Sequence, residues 1–391
     1  MDDLDAAASA AYHRDVRHLP VVSCVCLALA GCAPPTEVDW SVEVVESTMT
    51  RHDAQNLPGW QYALGLYLYA QYQVYRRTGD ERYLKYIQVW TDRFVAEDGD
   101  MYPETFDSLD YMMPGRVLNV LHRETGDERY KIAARTIRDR LDDYPRTSDG
   151  GLWHAVSYHH QLWADGAFMI APFLAEYGRE FNDEDYAYEE AGKQLVVYAS
   201  HLQQGNGLLK HAYDESRQMV WADPDTGLAP ESWCRAVGWF GLATIDVLEV
   251  LPEDHARRPE LLQILGDLVA GYAEFQDPDS GLWFEVVDRG DMENNWTETS
   301  CSSMYTYTVS RAVEQGWVDA DYQDVADRGY EGVLGRISRG ADGLTRLTEI
   351  VVGTNVGDYR YYVDRARAVN DFHGLGSFLL MNEQMRRAAG G

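Results

Sequence analysis

The hexapeptide Thr-Gly-Asp-Glu-Arg-Tyr stands at 78–83 and again at 125–130, each time between two stretches whose apolar residues recur at helical spacing. Glycine closes a helix in the left-handed conformation and the acids after it suit the start of the next, so each copy reads as a turn between helices. Asn182-Asp183-Glu184-Asp185-Tyr186 is a looser third copy. A second signature opens the complementary loops: Asp149-Gly150-Gly151-Leu152-Trp153, Asn206-Gly207-Leu208, Asp279-Ser280-Gly281-Leu282-Trp283 and Asp342-Gly343-Leu344. Two kinds of turn in alternation mean a helical hairpin repeated along the chain.

The same spacing predicts helices near 40–52, 60–77, 81–96, 109–123, 128–144, 161–178, 183–204, 231–251, 258–275, 298–315, 319–338 and 370–388. Strand-like alternation is scarce, and the class is all-α. Twelve helices in six hairpins that close on themselves make an (α/α)6 barrel, with short turns at one end and long loops at the other. An open solenoid is the alternative; closure is preferred because the terminal blocks lack a polar capping repeat. A chain of 391 residues that is 45% apolar and 12% aromatic has ample material for one large core, assigned to residues 39–391.

Residues 1–38 are expected outside that fold. Leu19 to Ala30 is an apolar stretch preceded by His13, Arg14, Arg17 and His18, a leader-like segment too short to span a bilayer. Leu29-Ala30-Gly31-Cys32 matches a lipobox, which makes Cys32 a candidate lipid anchor and export the expected destination. The acidic opening Met1-Asp2-Asp3-Leu4-Asp5 speaks against a leader and keeps a cytoplasmic chain as the alternative. A formal net charge of -30 excludes nucleic acid as a natural partner, since a phosphate backbone would be repelled. The five cysteines have no zinc-type spacing and form no even framework, so no metal is expected.

Polar, ionisable and aromatic groups concentrate in residues 211–239. Asp223-Pro224-Asp225-Thr226-Gly227 is a turn, and Pro230 and Glu231 suit the first turn of a helix that carries Trp233, Arg235 and Trp239 near its start. Such a mouth offers rings for a sugar face, the Arg235 fork for a carboxylate, and a titratable His211. The plain alternative is a helix packed by two tryptophans, with Arg235 and His211 paired to nearby acids. Asp165 is the one acid at the start of an apolar helix; burial would favour its protonated form and a general-acid role, and a helix N-cap is the alternative. Asp107 and Asp110 stand at another helix threshold, before Pro114-Gly115-Arg116. Two carboxyls facing one bond also describe an ordinary glycosidase. Glu298 reads as a helix-start acid, residues 353–357 as a rim loop, and Ser300, Ser302 and Ser303 lie near no nucleophile elbow.

Several blocks together resemble glycoside hydrolase family 105, the unsaturated rhamnogalacturonyl hydrolases: His-x-x-Asp-Glu-Ser at 211–216, Trp-Ala-Asp at 221–223, Trp-x-Arg-x-x-Gly-Trp at 233–239, and Gln-x-Trp-x-Asp-Gly-x-x-Met at 161–169. Blocks around Trp296-Thr297-Glu298, Gly353-Thr354-Asn355 and Asn370-Asp371-Phe372-His373 extend the likeness over roughly residues 40–388, although Cys234 departs from the small residue expected there. The resemblance implies a cofactor-free hydrolase that removes a 4,5-unsaturated uronic acid from the non-reducing end of an oligosaccharide, commonly unsaturated galacturonate from rhamnogalacturonan. It implies Asp165 as proton donor, Asp110 beside it with Asp107 still open, His211 and Arg235 as orienting groups, and Trp233 and Trp239 flanking the sugar. Another (α/α)6 glycosidase, a sugar epimerase and a non-catalytic carbohydrate-binding toroid are the competing readings.

Overall fold

Gly79 and Gly126, both at φ 69°, end their helices in the left-handed conformation, and Asp80 and Asp127 cap the next by accepting the backbone N–H of Arg82 and Arg129. The repeated hexapeptide is thus a sharp reversal between antiparallel helices. Asn182, at φ 59°, makes the third. A computed structural model describes residues 38–102 and 105–390; the leader expected over 1–38 and its Cys32 lie outside the described residues, Val38 apart.

The helices are α1 (Trp40–Arg51), α2 (Tyr62–Thr78), α3 (Glu81–Thr91), α4 (Gly115–Thr125), α5 (Glu128–Arg140), α6 (Ala164–Phe181), α7 (Glu184–Leu202), α8 (Cys234–Val250), α9 (Arg258–Glu274), α10 (Thr299–Glu314), α11 (Gln323–Leu334), the five-residue α12 (Tyr359–Val363) and α13 (Phe372–Ala388). Six of them close a ring: α2 packs on α4, α4 on α6, α6 on α8, α8 on α10, α10 on α13, and α13 back on α2. The other six long helices lie outside, each against the inner helices beside it. The expected closed (α/α)6 barrel is what forms. Burial follows position. Inner α6 is buried from Ala164 through Gly178, whereas outer α5 buries only the stripe Tyr130, Ala133, Ala134 and Ile137.

All twelve expected helices are present, but several start late. α6 begins at Ala164 because β1 (Gln161–Trp163) pairs with β2 (Ala212–Asp214). α8 begins at Cys234 because the backbone before it serves other loops: Glu231 O accepts from His211 N, and Ser232 O from Val287 N. Three further two-stranded antiparallel pairs were not expected: β3 (Trp283–Phe284) with β4 (Thr297–Glu298), β5 (Ile337–Arg339) with β6 (Thr345–Leu347), and β7 (Ile350–Val351) with β8 (Arg367–Ala368). The second turn signature also holds. Gly150, Gly207, Gly281 and Gly343 all have positive φ, and Gly99 marks a fifth such turn that sequence reasoning passed over. At Gly207 a side chain would also strike the Asp267 carbonyl oxygen.

The alternation gives the barrel two unlike ends. Short turns follow the C-termini of inner helices, and long loops lead into their N-termini. At the long-loop end a disulfide unanticipated in the sequence, Cys234–Cys301 with Cα atoms 5.6 Å apart, ties the first turn of α8 to that of α10.

Candidate active site

The β1–β2 pair sets the centre of the long-loop end. Trp163 is opposite Ala212 in the register, so the residues on either side, Asp165 entering α6 and His211 entering β2, are brought face to face. Asp165 Oδ2 lies 3.2 Å from His211 Nε2, off the line of a good hydrogen bond, and neither atom has another protein partner among the described residues. His211 is fixed from three sides: its N–H donates to Glu231 O, its carbonyl accepts from Ala164 N, and its Nδ1 meets the Tyr362 hydroxyl at 2.7 Å.

Asp165 is not the helix cap, because Trp163 occupies that position. Nor does burial decide its proton. Burial pushes the carboxyl up, but the charge and hydrogen-bonding capacity of His211, with His154 behind it, outweigh burial and hold Asp165 below its ordinary value. The expectation of a burial-raised acid is corrected: apolar neighbours in the sequence gave no sign of a histidine from a distant loop.

Asp110 sits in a 3-10 turn, Leu109–Tyr111, capped by Ser108, with Oδ1 3.6 Å from His154 Nε2. His154 is buried and lies flat on Trp163, centroids 4.4 Å apart, with Tyr158 stacked on the same tryptophan at 4.9 Å. Burial lowers the His154 pKa, yet Asp110 and then Asp165 raise it to above the usual value, so this imidazole feels both carboxyls. Asp107 instead forms a surface ion pair with Arg140 at 3.2 Å, away from that group. Asp110 is the acid that faces the site.

Tyr62, first in α2, bonds His373 Nε2 at 2.8 Å, and His373 Nδ1 meets Asp371 at 2.5 Å. Burial foremost, then Asp110, raises the Tyr62 pKa, which keeps its hydroxyl a donor; Arg235 opposes. Sequence reasoning missed Tyr62, His154, His373 and Tyr362 as site residues. The available signals were His154 directly after the Leu152-Trp153 turn, and His373 in the Asn370-Asp371-Phe372-His373 block.

Three expectations change. Arg235 is fully buried, and its guanidinium donates to the carbonyls of Val351 at 2.6 Å and Val352 at 2.8 Å, so its fork holds the loop after β7. Its charge still reaches the pocket, helping to lower His373. Trp233 is buried, with Nε1 bonded to Glu285 at 2.9 Å, and Trp239 is buried against Phe168 with ring centroids 4.8 Å apart. Neither presents a stacking face; the less buried rings packed around Trp163 are Tyr158 and Trp221. Glu298 caps α10 through Cys301 N and also accepts from Val351 N, a structural role. Among the described residues no group of three or more His, Cys, Asp or Glu side chains is placed to hold a metal ion.

The family description of Glycosyl Hydrolase Family 88 matches residues 40–389. A solved family 105 glycoside hydrolase from C. acetobutylicum is 33% identical, superimposes with a TM-score of 0.85, and is matched over 90% of this chain and 100% of that one. An unsaturated rhamnogalacturonyl hydrolase, YesR, of Bacillus subtilis (strain 168) is 29% identical over 251 residues, 62% of this chain and 68% of that protein. The unsaturated glucuronyl hydrolase of Bacillus sp. GL1 shares the fold at a TM-score of 0.66 and 14% identity over 90% of this chain and 95% of that one. With its closed ring of six inner helices and its match across almost the whole barrel, the chain belongs to the glycoside hydrolase family 88/105 group, the unsaturated uronyl hydrolases.

Proposed function

We propose that this hydrolase removes a 4,5-unsaturated galacturonate from the non-reducing end of rhamnogalacturonan oligosaccharides. The observation that carries the chemistry is the Asp165–His211 contact beside the Asp110–His154 pair: two carboxyls and two imidazoles in one water-poor mouth. The substrate preference rests on the likeness to the B. subtilis rhamnogalacturonyl hydrolase. The ring double bond of such a substrate is a vinyl ether. Asp165 donates a proton to C4, water adds at C5, and the hemiketal so formed opens and expels the aglycone. After donating, the Asp165 carboxylate takes a proton from that water, the usual exchange of acid and base roles.

Despite burial, His211 holds the Asp165 carboxyl below its ordinary value, so binding of substrate has to raise its proton affinity before it can donate. A bound uronate supplies the cause: its carboxylate is a like charge next to Asp165, and like charge in a desolvated site raises proton affinity. His211 Nε2, 3.2 Å from Asp165 Oδ2, stays beside the carboxyl and orients it. The six inner-helix N-termini converge on this mouth, and their partial positive charge favours a uronate despite the negative molecule.

Ultraviolet absorbance tests the reaction class. Adding protein to unsaturated disaccharides from a rhamnogalacturonan lyase is expected to abolish the conjugated-uronate band in step with release of rhamnose. Release of sugar with the band intact would identify a conventional glycosidase.

A further inference from the structure

The inner helices run in one direction, so their C-terminal ends meet at the short-turn face, away from Asp165. There they enclose a cavity of about 490 Å³. Six arginines line it, Arg76, Arg77, Arg123, Arg179, Arg311 and Arg387, in a chain with only 34 basic residues against 64 acidic ones. Helix chemistry accounts for part of this, because last-turn cations offset the partial charge of exposed carbonyls. The floor is a buried network. Arg116 bridges Glu176 and Asp246, at 2.7 Å each, and lies 3.7 Å from the Tyr69 ring centroid.

The carboxylates lining the cavity are all matched: Glu176 and Asp246 by Arg116, Glu249 by Arg311, and Glu383 by Arg77. Asp246 is pushed up to about 7, by burial first, so this floor acid is only partly charged at neutral pH. Arg76 and Arg179 are exposed, line the same space, and make no ion pair among the described residues. The open hydrogen-bonding capacity is therefore cationic and forked, beside the ring of Tyr72 and the amide of Gln73.

We propose that this cavity is a second, non-catalytic binding site for an acidic oligosaccharide. Its volume falls within the roughly 300–1,000 Å³ typical of small-ligand sites. A sugar carboxylate matches an arginine fork with two parallel bonds. Ring hydroxyls can donate to the carboxylate oxygens around them. Sulfate shares the charge but has no hydrogen to offer the oxygens of the four lining carboxylates.

Calorimetric titration of the whole chain with saturated trigalacturonate, which has no double bond to hydrate, tests this. The expected result is a binding component that Arg76→Ser/Arg179→Ser weakens by roughly tenfold or more, as loss of charge-assisted bonds requires. Melting temperature and kcat on an unsaturated disaccharide should match the parent, because both arginines are exposed and distant from Asp165. Binding that the double variant leaves unchanged overturns the proposal. So does equal binding of a neutral galactose trisaccharide, or displacement by sulfate at matched ionic strength as effective as by the uronide. Because turnover is measured separately, failure of this site is distinguishable from failure of the assigned reaction.

Discussion

Asp165 and His211 are separated by a helix, a turn and another helix in sequence, and the three-residue β1–β2 ladder brings them together. Asp165→Asn keeps the shape but cannot deliver a carboxyl proton, so kcat should fall on the order of 10² to 10⁴, about 3–5 kcal/mol of barrier. Melting should drop only modestly, since an amide still fills the space beside His211. Turnover near the parental rate would remove Asp165 from the reaction. Asp165 was legible because it is the one acid at the start of an otherwise apolar helix, and Asp110 because it stands just before the Pro114-Gly115-Arg116 helix start. What could not be read was direction. Trp233, Arg235 and Trp239 lie in the first turns of one helix and all face the core, whereas His154 and Tyr62, unremarkable in sequence, face the acids.

Between elements, the long loops do more than connect. Arg235 grips the carbonyls after β7, Glu298 caps α10 while accepting from Val351, and Cys234–Cys301 joins α8 to α10 directly beneath them. Opening a cross-link with a sequence separation of 67 removes a constraint worth about 4 kcal/mol on the chain-entropy estimate. Cys234→Ser/Cys301→Ser should therefore lower the melting temperature under oxidising conditions to that of the reduced parent. KM should rise with it, as the loop held by Arg235 loosens. Identical melting of variant and oxidised parent would show that the bridge carries no stability. Helix existence was legible from apolar spacing, whereas the starts of α6 and α8 were not, because β1 and the Glu231-Ser232 backbone answer to partners in other loops. Two cysteines 67 residues apart gave no sign of pairing until the ring brought α8 against α10.

For the molecule as a whole, opposing carboxyls shape the response to pH. Asp246, raised to about 7, and Glu285, raised well above its ordinary value by burial, favour the folded state fully below their unfolded values and lose that contribution as pH rises. Asp371, lowered to about 2 by His373 despite burial, and Glu176, lowered by Arg116 despite burial, contribute above their unfolded values of roughly 4. Their contribution is lost as pH falls from there toward 2. The melting temperature should rise as pH is lowered from 8 toward 5 and fall below about 4. Asp246→Asn should flatten the first limb; a limb of unchanged slope would show that Asp246 titrates normally. The ring itself was legible from the alternation of turns, since two turn types repeated along one chain leave few closed arrangements.

That alternation also divides the molecule into a part that can change and a part that cannot. An insertion beside Val220, which is 99% exposed on the loop before α8, touches no contact of the inner ring. The same insertion between Gly79 and Asp80 would separate a helix stop from the cap that starts its neighbour. Lineages built on this barrel can therefore acquire new substrates by exchanging loops at one end while inheriting the other unaltered. A designer grafting a new specificity would do best to begin there.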